Sequence, residues 1–214
     1  MKIINGRDIE NYGFTPHDSP ESAWYVNREV NMGGLRKISK FDNRHGLNRV
    51  FSNLDSRWKM ILETLNYNTQ GKKILELGCG AESGNIESAR YDGVFFPWLG
   101  RFMHLTKEKT GLEYIGIDSG NLSGEPFSYR KMNLLDKQCI IREFQKGYFD
   151  IAVAFMLFNS PELEAMVTGR DKDNASYKSG RALAESIVPQ LREVVKPEGV
   201  LLWTGGDDRI FDQL

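Results

Sequence analysis

Cysteine is almost missing from this sequence: Cys79 and Cys139 are the two in 214 residues. A pair builds no disulfide framework, and this pair lacks the spacing of a metal knuckle. Histidine is as scarce. His17, His45 and His104 stand far apart, so no metal site is expected. No apolar run is long enough to cross a bilayer, so no membrane contact is expected. Neither sign of charge dominates. The 28 basic and 29 acidic side chains leave a net charge of −1, which argues against a dominating nucleic-acid footprint. The first residues, Met1–Asp8, lack the apolar core of a signal peptide, and the chain is expected to be cytoplasmic. Internal repeats and low-complexity tracts are not evident. The length suits one domain with an extension and is enough to bury a sound core.

Among the features present, Lys72–Gly84 is the most informative. Ile74, Leu75 and Leu77 suit a strand buried on both faces, with Glu76 near its end. Gly78, Cys79 and Gly80 then make a tight turn, and the missing Cβ atoms let a ligand lie against the main chain. A helix beginning after the turn offers unpaired N–H groups to polar ligand atoms. This is how a Rossmann-like sheet brings backbone close to a nucleotide. A phosphate-cradling P-loop needs Lys-Ser/Thr after its last glycine, and Asn85-Ile86 follow Gly84. The dinucleotide fingerprint wants glycine or alanine three residues after Gly80, where Ser83 stands.

The stretch Ile74–Gly80 resembles motif I of the class I S-adenosylmethionine-dependent methyltransferases. In that family an acid two residues before the first glycine binds the methionine amino end of the cofactor, so the resemblance implies that role for Glu76. The family often has a further glycine where this chain has Glu82, which bears on the path of the loop. Glu113–Asp118 reads as a second strand with an acid at its carboxyl end, where a carboxylate can accept both ribose hydroxyls. The resemblance gives Asp118 that role. Tyr129–Asp136 resembles the exit of the third strand, where the family often has an acid touching the adenine amino group. Asn133 stands there, and its amide oxygen can still accept. Phe149–Ala154 resembles the fourth strand and Val195–Leu202 the fifth. The resemblance covers residues 70–204 in the family's order. It adds Gly78, Cys79, Gly80, Ser119, Leu134 and Phe155 to the expected cofactor set.

What the resemblance implies is an α/β, Rossmann-like, doubly wound and mostly parallel sheet of order 3-2-1-4-5, with an N-terminal helical extension. Residues 1–46 form a leader or cap and 47–214 the α/β domain. Only Thr204–Leu214 follows the fifth strand, so the family's usual C-terminal antiparallel pair is expected to be short or missing. The implied activity is methyl transfer from S-adenosylmethionine to an acceptor, in the first place a small molecule, with nucleic acid a weaker alternative. No catalytic base is identified. Two alternatives stand beside it: a nicotinamide-dependent oxidoreductase, and a non-catalytic protein that kept the cofactor fold.

Plainer roles compete at several positions. Glu76 also fits a strand-end acid capping the next helix, and Asp118-Ser119-Gly120 a polar turn. Cys79 reads as turn filler, and Asp150 as the residue that fixes the start of its strand. Asn159-Ser160-Pro161-Glu162 reads as a capped helix start, not as the tetrapeptide of amino-group methyltransferases.

Leu47, Val50, Phe51, Leu54, Trp58, Ile61, Leu62 and Leu65 make an amphipathic stripe that should pack on the sheet. A helix is expected from Pro20, and others near 97–108, 135–145, 161–166 and 179–195, the last kinked at Pro189. Gly93 and Pro97 should split the long first crossover, leaving Arg101 or His104 either packed or facing substrate. Thr168–Gly180 reads as a lid or a solvated loop. Eight basic residues between Arg28 and Lys59, Arg57 among them, read as the wet face of the long helix or as a recruiting patch for an anionic acceptor. Val200–Trp203 would be an open sheet edge, to be covered by Met1–Ile4 as a short strand or by a second copy in a homodimer.

Overall fold

Six strands lie side by side in one sheet: β1 (Lys2–Asn5), β2 (Lys73–Leu77), β3 (Glu113–Asp118), β4 (Ser128–Lys131), β5 (Phe149–Phe155) and β6 (Val195–Thr204). Every neighbouring pair is parallel, and the order is β1-β6-β5-β2-β3-β4. The computed structural model describes residues 1–6, 8, 54, 56–80, 97–170 and 174–214. Helices among the described residues include α1 (residues 56–64), α2 (Trp98–Thr110), α3 (Cys139–Glu143), α4 (Pro161–Thr168) and α5 (Tyr177–Val194).

The five strands read from the sequence lie in the expected order 3-2-1-4-5. The difference is a sixth strand at the edge, supplied by the first residues of the leader. Ile3 pairs with Leu201 and Ile4 with Leu202, so the apolar edge of β6 is covered from within the chain. The leader thus begins as a strand, and the expected helix from Pro20 lies outside the described residues. No antiparallel strand follows β6 among the described residues; a short 3-10 turn, Asp208–Phe211, takes its place.

Strand alternation divides the core in two. Ile74, Val153 and Phe155 face one side, where Trp58, Ile61 and Leu62 of α1 and Leu99 and Phe102 of α2 cover them. Leu75, Leu77, Ala152, Ala154 and Leu201 face the other, under Leu183, Ile187 and Leu191 of α5. A parallel sheet covered on both faces explains why these strands read as nearly continuous apolar runs. Ser160 caps α4, its Oγ accepting from the Leu163 N–H at 3.1 Å. Pro189 does not end α5, which continues to Val194 with the proline ring on its exposed side.

Asp150 acts at the starting end of the strands. Its carboxylate accepts from the Lys73 N–H at 3.0 Å and from the ammonium groups of Lys196 at 2.7 Å and Lys72 at 3.2 Å. It ties β2, β5 and β6 together far from the glycine turn.

Candidate functional site

The sheet winds outward in both directions from β2: β3 and β4 lie on one side, β5, β6 and β1 on the other. The carboxyl ends of β2 and β5 therefore flank the point where strand order reverses, the usual place for a ligand crevice in such sheets. The Gly78 turn stands at that point. Gly78 has φ +64° and Gly80 φ +85°, the left-handed region that favours glycine. A Cβ on Gly78 would also lie 2.5 Å from Leu157 Cδ1, so the turn after β2 touches the loop after β5.

Cys79 is buried in this turn. Its N–H donates to the Ile117 carbonyl at 3.0 Å, and its sulfur packs where Gly116 leaves room, 2.8 Å from a Cβ built there. Burial, with Glu76 and Asp118 close by, pushes its thiol well above the ordinary range. It is held as packing and not as a thiolate nucleophile.

Asp118, half-buried at the end of β3, accepts the Gly80 N–H on Oδ2 at 3.0 Å and the Gly120 N–H on Oδ1 at 2.8 Å. Both oxygens organise the two turns, and each keeps a second lone-pair position. Ser119 beside it is exposed. Farther along, Asn133 is exposed and its Oδ1 accepts the Leu135 N–H at 3.0 Å, a local side-chain turn. Leu134 is buried, and its carbonyl accepts from Ser186 Oγ at 2.8 Å. Phe155 is buried at the end of β5.

Glu76 is buried at 2% exposure beside this turn. The Tyr114 hydroxyl donates to its Oε2. Burial pushes the Glu76 carboxyl up to about 7; Arg57 and the Tyr114 hydrogen bond pull it down, and Asp118 adds to the rise. Among the described residues its polar neighbours are Tyr114, Arg57 and Asp118. That is more than strand-end capping requires.

Sequence reasoning missed Arg57 and Tyr114 as partners of Glu76. Tyr114 follows from parallel pairing, which sets Tyr114 beside Ile74, two residues before Glu76 and on the same face. Arg57 read as solvated, yet it lies half-buried over the Phe155 ring, 5.3 Å from the centroid. Its signal was its place between Leu54 and Trp58 in the apolar stripe.

A cavity of about 480 Å³ opens at the ends of β5 and β6, against the residues that flank Leu157 in the chain. Its walls include Met156, Phe158, Asn159, Tyr177, Gly205 and Asp207. Met156 adopts φ +61° there, and Gly205 at φ +78° has its Cβ position 2.7 Å from the Met156 sulfur. Of the two roles open to Arg101, packing holds, since it is buried. Arg101 does not face this region but donates to both oxygens of Glu125, at 2.8 and 2.6 Å, and His104 is exposed. The connection from Thr168 to Gly180 is tied near its far end. Buried Glu164 accepts from the Ser176 N–H and Oγ, both at 2.8 Å, and from Ser179 Oγ at 2.6 Å. Among the described residues no cluster of potential metal ligands occurs, and no helix is long and apolar enough to cross a membrane.

No protein-family model and no curated protein matches the sequence. Solved structures give shallow overlaps. A SAM dependent methyltransferase from Archaeoglobus fulgidus is 19% identical over 65% of this chain and 47% of its own, with a TM-score of 0.32. A chain of a Haloferax volcanii complex containing the Trm112 methyltransferase activator is 11% identical over 76% and 60%, at 0.33. Proclavaminate amidino hydrolase from Streptomyces clavuligerus is 14% identical over 89% and 63%, at 0.35. This chain spans less than two thirds of each. Overlaps of that depth assign no activity, and the Rossmann-like fold rests on the chain's own topology: an open parallel sheet with a glycine turn and two acids where its winding reverses.

Proposed function

We propose that this chain binds S-adenosylmethionine at the Gly78 turn and transfers its methyl group to a small-molecule acceptor. The observation that carries the reading is the pairing of Glu76 and Asp118 at the ends of adjacent strands, on either side of a turn built from Gly78 and Gly80. Tyr114 occupies Oε2 of Glu76, and among the described residues nothing hydrogen-bonds to Oε1. That oxygen fits a donor such as an ammonium group. The second lone pairs of Asp118 fit ribose hydroxyls.

Under this reading Glu76 holds the amino end of the cofactor and Asp118 the ribose. Asn133, with Ser119 and the Leu134 backbone, borders the adenine side. The cofactor supplies, when bound, a methyl group activated by a sulfonium. The protein's part is to align acceptor and donor and to exclude water. Phe155 carries the Arg57 guanidinium on its ring face, which holds that charge beside the site. The cavity at the ends of β5 and β6 is the proposed acceptor site. Its volume suits a small molecule, and its lining sets Met156 and Tyr177 among the polar Asn159, Ser176, Thr204 and Asp207.

Calorimetric titration with S-adenosylmethionine, S-adenosylhomocysteine and NAD tests the reading. Binding of the first two without the third is the expected result. Tight NAD binding, or no binding of either adenosyl compound, overturns it. A methyl-transfer panel across small molecules, protein and RNA then separates catalysis from mere cofactor binding and identifies the acceptor class.

A further inference from the structure

Arg57 leaves α1 on the face of the sheet that carries Glu76. Trp58 and Ile61 of α1 pack in one cluster with Ile74, Val153 and Phe155, and Glu76 points to the same side as Ile74, two residues before it. The Arg57 guanidinium lies over the Phe155 ring, and Glu76 is its leading ionic neighbour. Among the described residues it enters no salt bridge within 4 Å and donates no hydrogen bond.

A guanidinium brought out of water with its donors uncommitted is unfavourable, and its planar fork matches a carboxylate in two parallel hydrogen bonds. Glu76 supplies the charge but is itself engaged at Oε2 by Tyr114. Its Oε1 remains open, as noted above. An open acceptor on an acid and an open donor fork on a base therefore stand together beside the glycine turn. An α-amino acid group carries the complement of both, an ammonium and a carboxylate on one carbon. A purely structural pair of charges would instead satisfy its own hydrogen bonds, which Arg57 and Glu76 do not do with each other or, for Arg57 and Oε1 of Glu76, with any described residue.

We propose that Arg57 and Glu76 form a clamp for the α-amino acid end of the cofactor, Arg57 taking its carboxylate and Glu76 its ammonium. The clamp rests on the methyl-donor reading above and sharpens it: the site selects the intact cofactor over one lacking the carboxylate. Arg57 also links α1 to the site, so binding should draw this helix onto the end of β5.

The test removes the carboxylate from the ligand and the guanidinium from the protein in one cycle. S-adenosylmethionine and its decarboxylated form are titrated into the full chain and into Arg57→Met, which keeps the aliphatic stem over Phe155. Wild type should prefer S-adenosylmethionine by roughly ten- to a hundredfold, the range for a hydrogen-bonded charge pair. In Arg57→Met the preference should vanish while affinity for the decarboxylated form is kept. Arg57→Gln runs the same cycle should the methionine variant not fold. A preference that survives the loss of Arg57, or equal weakening of both ligands in a folded variant, overturns the clamp. Wild type binding both ligands equally overturns the clamp alone, whereas wild type binding neither removes the methyl-donor reading as well.

Discussion

The Tyr114 hydroxyl reaches Glu76 across the β2–β3 pair, and both side chains are buried. Burial of the Glu76 carboxyl, which the Tyr114 bond only partly offsets, makes stability depend on pH. Burial raises the Glu76 carboxyl from its ordinary 4.5 to about 7 in the folded chain. Between those values the folded protein holds a proton that the unfolded chain has released, so stability falls as pH rises through this window. Full ionisation of Glu76 should cost roughly 3 kcal/mol, from 1.4 kcal/mol for each unit of pKa. Urea unfolding at pH 5 and pH 8 should show wild type losing more stability than Glu76→Gln over that span. Parallel loss in both proteins would show that Glu76 does not titrate there.

Ionised Glu76 is also the form that can hold an ammonium group. Affinity for S-adenosylhomocysteine should therefore weaken as pH drops from 8 to 6 and Glu76 takes up its proton. Glu76→Gln should bind more weakly at pH 8 and show a flatter profile. Calorimetry across that range checks it, and an unchanged profile in the variant would assign the pH dependence to another group.

Asp118 joins the turn after β2 to the turn after β3 through the N–H groups of Gly80 and Gly120. Asp118→Ala leaves both donors without their carboxylate and removes the proposed ribose partner. Cofactor binding should weaken by about 1–3 kcal/mol, with a smaller loss of folding stability because the turns can be hydrated. Titration with S-adenosylhomocysteine, paired with a melting curve, separates the two effects. Undiminished affinity would leave Asp118 with its turn-forming role alone.

Much of this arrangement was legible in the chain because parallel strands buried on both faces have few ways to be written. Ile74–Leu77, Glu113–Asp118 and Phe149–Ala154 read as strands for that reason, and Gly78 and Gly80 carry the backbone requirement of the turn. The leader strand at β6 was legible as one of two covers for an apolar edge, and pairing with Leu201 and Leu202 decides between them. Tertiary facts were not legible. Arg57 has the composition of a solvated residue, and only the packing of α1 brings it over Phe155. Arg101 was open between packing and facing substrate because Glu125, 24 residues later, gives no local sign of pairing with it. The Met156 turn carries no glycine signal, because the left-handed residue there is a methionine and the small residue its approach requires stands at Gly205.

Asp150 works at the opposite end of the sheet, and its role should be separable from ligand binding. Three donors from β2, β6 and the residue before β2 converge on one carboxylate, and their hydrogen bonds hold it below the ordinary carboxylate range although burial alone would raise it. A depressed carboxylate stabilises the fold above its unfolded pKa and loses that contribution as pH falls through its folded value. Asp150→Asn should lower stability at neutral pH by about 1–3 kcal/mol and change cofactor affinity little. Denaturant unfolding at pH 7 and pH 3 should show the gap closing in acid. A gap that persists at pH 3 would point to shape and not charge.

The last prediction concerns β1. Lys2, Ile3, Ile4 and Asn5 run parallel to Val200, Leu201, Leu202 and Trp203, giving β6 a hydrogen-bonded neighbour on its outer side. Without it, an apolar strand rich in branched and aromatic side chains would present unpaired backbone groups to other chains. The chain that follows β1 is fitted closely to the domain: a Cβ on Gly6 would lie 2.5 Å from Met60 Sδ and 2.7 Å from Thr204 Cγ2. Removing residues 1–6 should lower the melting temperature and drive concentration-dependent self-association through the exposed β6 edge. Gly6→Ala should destabilise more mildly, by about 1–3 kcal/mol, because Met60 can move while Thr204 in the strand cannot easily do so. Sedimentation velocity and melting curves on both variants distinguish the causes. Loss of stability with association in the deletion, and loss of stability without association in Gly6→Ala, is the pattern expected of an edge strand. A deletion that melts like wild type and stays monomeric would mean that β1 contributes no stability and that something other than this strand protects the edge.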